Sequence, residues 1–242
     1  MSDGLPLDDD ESLAHELTFS NYRHETFLLP LPLFREAMEG LSSISDRLEA
    51  AKGQVEEGEA VSMVREIYRI VDRVGKSVES HMSCRASCAA CCRMMVGVTR
   101  GEGEILRERF AREPSGSVKN GWSEGLAERT RALFSLSGSA DPDNPLSTLD
   151  DMLATCEDYE KLSVYCPFLG ADRLCQIYED RPLMCRICWT LTDPRDCDPG
   201  EGPPVKFRNA VFFRAFELVI ALGKAGFGDP RHRPIPLWLT GE

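Results

Sequence analysis

The chain has 242 residues, 42% hydrophobic and 28% charged, the proportions of a soluble globular protein with one large domain or one domain plus extensions. Lys+Arg 28 against Asp+Glu 40 gives a net charge of -12, which argues against a broad electrostatic grip on DNA, RNA or an anionic membrane. Ten cysteines stand against four histidines, too sparse for a secreted disulfide scaffold and too clustered to ignore.

In chain order, residues 1–12 carry Asp3, Asp8, Asp9, Asp10 and Glu11 and read as an acidic solvated tail. The start of the chain has neither a basic n-region nor an apolar h-region, so it does not read as a secretory signal. Leu33 to Ala51 reads as an amphipathic helix, and Gly53 to Gly58 punctuates. Glu59 to Met82 is the clearest helix, because Val61, Val64, Ile67, Tyr68, Val71, Val74 and Val78 follow the i, i+3, i+4, i+7 rule. Glu102 to Arg112 is a short helix stopped by Pro114, and Ser123 to Leu136 is another with Ser123 as N-cap. Residues 137–145 are a loop by composition. Thr148 to Leu162 is helical, with Cys156 on its apolar stripe. Val205 to Leu222 is a core helix entered through Pro203 and Pro204. Its most apolar part, Ala210 to Leu222, is interrupted by Arg214 and Glu217 and is too short to span a bilayer.

From Gly223 onward, Pro, Gly and Arg suggest irregular structure. Strand signals are weak throughout. The expected fold is therefore mainly α: an acidic tail with an N-terminal helical extension (1–57), a cysteine-rich helical domain (58–225) and an irregular tail (226–242).

Two cysteine segments carry the chemistry. The first is CRASCAACC, with Cys84, Cys88, Cys91 and Cys92. On a helix these four would fall within about 100° of arc, at roughly 100° per residue. The second holds Cys166, Cys175, Cys185 and Cys188. Pro167 pushes Cys166 out of the α region, and Asp180-Arg181-Pro182 reads as a helix start that puts Cys185 and Cys188 on one face. In a reducing cytoplasm, where this chain is expected, clustered cysteines serve as metal ligands or redox groups rather than disulfides. Thiolates are soft donors that select zinc or iron–sulfur. A zinc site closes at four ligands and a [4Fe–4S] cluster normally takes four cysteines, so the surplus of thiols favours a cluster with extra thiols, or two sites. Cys156 reads as core, and Cys197 reads equally as an outer ligand or a loop cysteine.

The pattern of Cys88, Cys91 and Cys92, then Cys166-Pro167-Phe168-Leu169, Cys175, Ile177-Tyr178-Glu179, Arg181-Pro182-Leu183 and Cys185-Arg186, resembles the CxxCxxCC family, the YkgJ-like zinc- or iron-chelating proteins. The eight-residue gap between Cys166 and Cys175 fits as well. The likeness covers residues 84–190 and leaves both flanks unexplained. The chain departs from the pattern in having three residues, not two, between Cys84 and Cys88. The resemblance implies metal binding in a small cytoplasmic protein. The flagellin lysine-N-methylase, similar in its cysteine arrangement, implies by analogy a cluster used with S-adenosylmethionine; such an analogy does not by itself transfer a reaction.

No H-E-x-x-H, P-loop or G-x-G-x-x-G is present. His81 precedes the first cluster and is either a ligand or, more commonly for a histidine at a helix end, a solvated cap. Arg181 and Arg186 either hold charge at the second cluster or pair with Glu179 and Asp180. Trp189 either shields a cluster or packs in the core. Two functions stay open: a redox or group-transfer protein built on iron–sulfur, possible S-adenosylmethionine-dependent methyl transfer included, or a zinc-stabilised binding module. The partner is an unidentified protein or small molecule, with neither nucleic acid nor membrane expected.

Overall fold

The computed structural model describes residues 13, 15–137, 158–197 and 205–239. These residues form a mainly helical protein. Two three-residue strands, β1 (Thr18–Ser20) and β2 (Thr26–Leu28), make an antiparallel pair with Phe19 opposite Phe27. Helix α1 (Leu31–Ala50) follows, with proline in its first turn, where the missing N–H breaks no helical bond. Helix α2 (Glu57–Val78) buries Val64, Ile67, Tyr68, Val71, Val74 and Val78 of the expected stripe, with Val61 partly buried beside them. A 3₁₀ turn, Glu79–His81, ends it.

Helix α3 (Arg100–Arg112) starts two residues before the sequence reading placed it. Thr99 and Glu102 form a capping box, each satisfying a backbone N–H at the helix start. Helix α4 (Gly116–Ser137) also starts earlier than expected. Ser123 is not its N-cap: it lies inside the helix and its hydroxyl donates to the Lys119 carbonyl at 3.0 Å. The helix extends back because Trp122 is buried against Phe168 in an edge-on ring contact. The expected helix at 148–162, Cys156 included, falls mostly outside the described residues.

Helix α5 (Leu183–Ile187) is one short turn, with Pro182 just ahead of it. Helix α6 (Ala210–Phe227) starts later than the proline pair suggested, a pair that lies outside the described residues. Its cap is Asn209, whose side chain accepts from the Phe212 N–H, and Lys206 before it pairs with Thr190 in an isolated bridge. It also runs five residues beyond Leu222, to Phe227, and Gly228 caps it at φ 67, a conformation open to glycine. The chain beyond is ordered as well: β4 (Arg233–Pro234) pairs with β3 (Gly97–Val98), and helix α7 (Ile235–Leu239) buries Ile235, Leu237 and Trp238. Apolar residues outweighed the breakers there, because Trp238 packs on α3 and its indole N–H donates to the Val98 carbonyl at 2.9 Å.

The main core joins α1, α2 and α6, so residues 31–50 share one apolar interior with 57–78 and 210–227. The approach of α6 to α2 is tight: a Cβ on Gly226 would lie 2.5 Å from Ala60 Cβ. A smaller core of Val98, Leu106, Trp122, Leu126, Phe168, Ile177, Ile235 and Trp238 carries Cys166 and Cys175 on its edge. Among the described residues no helix is long and apolar enough to cross a membrane.

Candidate metal centre

The second cysteine segment packs on the edge of the smaller core through Cys166 and Cys175. The first is not a continuous helix. After α2 the backbone is held by Ser83, whose N–H donates to the Thr190 carbonyl at 3.0 Å, so the chain carrying Cys84 lies beside the chain carrying Cys188. The Cys84 thiol points at the Cys188 carbonyl, 3.8 Å away. A turn closed by Cys88 N–H to Arg85 O at 3.0 Å exposes Cys88, and a 3₁₀ turn (Ala90–Arg93) presents Cys91 and Cys92.

The second segment begins with a backbone tie to the first: the Cys166 N–H donates to the Cys92 carbonyl at 2.8 Å. Residues 166–175 then double back. Leu169 pairs with Cys175, and the Gln176 N–H donates to Phe168 O at 2.9 Å. Cys185 sits within α5, and Cys188 is the residue that ends it.

The thiols act on one another across the two segments. Cys185 is driven well above the ordinary thiol pKa by burial first, then by Cys91, Cys166, Cys188 and Cys175. Cys188 is also raised well above it, first through its hydrogen bond with Cys91 and then by burial. That bond pulls Cys91 down, while Cys92 and burial push it up, with a net result of about 12. Burial, then Cys188, Cys88 and Cys197, lift Cys84 to about 11. Burial raises Cys166, Cys175 and Cys197 as well. These influences overlap: Cys91 is raised by Cys84 as well as by Cys92, and it raises Cys185 and Cys188 in turn. Cys188 raises both Cys84 and Cys185. Among the described residues, all nine cysteines are free thiols, and no three Cys, His, Asp or Glu side chains stand at metal-holding separation.

Two of the cations nearby, Lys206 and Arg129, come from positions the sequence did not single out. Lys206 donates to Cys188 Sγ at 3.3 Å and lowers its pKa. Arg129, buried, donates to Met94 O at 2.9 Å and to Cys92 O at 3.4 Å, and lowers Cys166. Met94 adds a thioether 3.6 Å from Cys188 Sγ. Arg181 and Arg186 both lower Cys175. They do not pair with Glu179 and Asp180. Both reach Asp72, and Arg186 lies under the Tyr68 ring, 4.1 Å from its centroid. The Asp180 carboxylate is taken by Arg65 at 2.8 Å and Arg112 at 3.4 Å.

His81 does not join the thiols. Its ring stacks on Phe27, with centroids 4.4 Å apart, and Nδ1 is 3.9 Å from Glu25. Trp189 packs on the main core, against Gly75.

One buried carboxylate couples the frame of the two segments. Glu102 accepts from Tyr68 OH at 2.9 Å, Thr99 N–H at 2.9 Å, Thr99 OH at 3.2 Å and Leu183 N–H at 2.8 Å. It ties α2 and α3 to the first residue of the helix that carries Cys185.

The donor chemistry fits a thiophilic metal. The side chains named as acting on these thiols are other thiols, a lysine, three arginines and the Thr190 hydroxyl, with no carboxylate among them. Buried thiols that raise one another's pKa are inert nucleophiles, but a cation among them would favour the thiolate form. No family model matches this chain, and comparison with curated proteins and with solved structures finds no similar protein.

Proposed function

We propose that the two cysteine segments hold a metal through thiolates, as an iron–sulfur centre, and that the protein is a redox or group-transfer protein built around it. The observation that carries this reading is that the backbone brings the two cysteine segments side by side: the Cys166 N–H donates to the Cys92 carbonyl at 2.8 Å, and Cys84 Sγ lies 3.8 Å from the Cys188 carbonyl. Of the eight expected ligands, Cys91, Cys166, Cys175 and Cys185 form the inner set in the reading. Cys188 and Cys84 extend it, Cys88 lies at the surface, and Cys92 adjoins Cys91. Such a centre, when bound, supplies electron transfer, its potential tuned by burial and by hydrogen bonds to sulfur.

The chain's own residues have definable tasks. Lys206 and Arg129 oppose the negative charge of the thiolates. Phe168 and Leu183, both buried, limit water at the second segment. Thiols in excess of four favour iron–sulfur over a closed zinc site. The resemblance to the CxxCxxCC family agrees with this reading.

A metal so placed joins distant parts of the chain and contributes to folding. Anaerobic chelation, with metal removal confirmed, is therefore expected to lower the melting temperature. A melt unchanged by complete removal rejects the structural part of the proposal.

A further inference from the structure

We infer that a surface pocket beside the cysteine segments binds a small molecule through a phosphate or carboxylate group. The pocket, of about 400 Å³, is lined by residues of the Ser83–Ala90 turn together with Arg93, Tyr165, Arg173 and Pro194. Three arginines face it, and no acidic side chain lines it among the described residues. In a chain with a net charge of -12, that is a local reversal of sign.

Two of these arginines keep their charge uncompensated among the described residues. Arg85 and Arg173 have no carboxylate at ion-pair distance among the described residues, although most arginines of this protein do. Arg173 is held in place without being neutralised. Its Nε donates to the Ser87 carbonyl at 3.3 Å, leaving the two Nη groups of the fork for another acceptor. Arg93 donates through one Nη to the Cys197 carbonyl at 3.3 Å.

The backbone at both ends of the Arg173–Ser87 contact is strained. Ser87 has φ 66 and Arg173 φ 62, and neither is a glycine. Strain of this kind persists where the surroundings over-determine a conformation, often at a ligand site. A guanidinium fork matches phosphate or carboxylate geometry in two parallel hydrogen bonds. Tyr165, 43% exposed, offers a ring face for the remainder of such a molecule. Cys88, the one exposed thiol among the described cysteines, is in the same wall, so a bound anion sits against the cysteine segments. The inference goes beyond the metal reading and holds whether the thiols carry metal or not.

The test is calorimetric titration of the full chain, as purified, with inorganic phosphate and, separately, with malonate. Saturable binding at one site is expected for at least one of the two. The tighter of the two identifies the ligand as phosphate- or carboxylate-bearing. Arg85→Gln and Arg173→Gln should each weaken it about tenfold, the loss of one charge-assisted contact. Arg231→Gln, whose arginine pairs with Asp229 outside the pocket, should leave it unchanged. Arg85 is exposed and its side chain makes no hydrogen bond among the described residues, so its replacement is expected to leave the fold intact even if that of Arg173 does not. No saturable binding of either anion, or binding undiminished in the Arg85→Gln variant, overturns the inference.

Discussion

Glu102 is the polar residue on which the relative placement of three elements depends, and its replacement by glutamine is a sharp perturbation. The carboxylate receives four hydrogen bonds, two on each oxygen: Tyr68 OH and Leu183 N–H on Oε1, and Thr99 N–H and OH on Oε2. Glutamine keeps the shape but turns one of those oxygens into a donor. If the amide nitrogen replaces Oε1 it faces the Leu183 N–H; if it replaces Oε2 it faces the Thr99 N–H. The hydroxyls of Tyr68 and Thr99 can rotate to accept, but a backbone N–H cannot. Either orientation therefore strands one buried backbone donor, at a cost of about 1–3 kcal/mol. Alanine strands all four donors, partly relieved by water entering the vacated space, for roughly 3–5 kcal/mol. Tyr68→Phe removes one bond and leaves the others, for about 0.5–1.5 kcal/mol. Urea denaturation of the three variants measures this order directly. A Glu102→Gln variant within about 0.5 kcal/mol of the parent, the range of an ordinary surface change, would refute the reasoning.

Gly226→Ala puts a methyl group 2.5 Å from Ala60 Cβ, where two helix backbones leave no room; a loss of about 1–3 kcal/mol by denaturation is expected despite alanine's better helix propensity, and a stabilised variant would contradict it. Serine at Cys91, Cys166, Cys175 or Cys185 is expected to abolish metal retention, whereas Cys156→Ser, on an apolar stripe by sequence, should keep it; elemental analysis of the variants decides, and equal loss from Cys156→Ser would break the ranking. Burial holds His232 below its ordinary pKa of 6.5, against a smaller opposing pull from Glu102. The folded protein thus takes up its proton less readily than the unfolded chain. This contribution to stability is whole above pH 6.5 and is lost as the pH falls through the lowered value. His232→Leu should flatten that part of a urea-midpoint profile, and an unchanged acid slope would count against it.

The long helices were legible because apolar residues at helical spacing report one buried face, as the stripe from Val64 to Val78 in α2 does. Starts were less legible, even where a signal existed. Thr99 and Glu102 form a T-x-x-E capping signature, yet the sequence reading began the helix at Glu102 itself. Ser123 looked like a cap, but its helix position is set by the burial of Trp122 one residue before it. Trp238 ordered a segment that composition marked as irregular, since proline and glycine report local preference and not a distant apolar surface.

At the cysteine segments, residue type and clustering were readable, while the path of the backbone was not. The Ser83 and Cys166 N–H groups find carbonyls far along the chain, which no local pattern encodes. Lys206, Arg129 and Glu102 are single polar residues whose partners are remote in sequence. Arg186 was noticed, but its partner Asp72 lies on α2, a full domain's width of sequence away.

The most direct measurement of the central claim is metal and acid-labile sulfide analysis, with a visible absorption spectrum, on protein purified without oxygen. A brown protein with iron and sulfide in similar amounts is the expected result. A colourless protein holding stoichiometric zinc, with no iron uptake on reconstitution, would contradict the iron–sulfur assignment. A protein with every thiol free and no metal bound under either condition would contradict the metal centre itself.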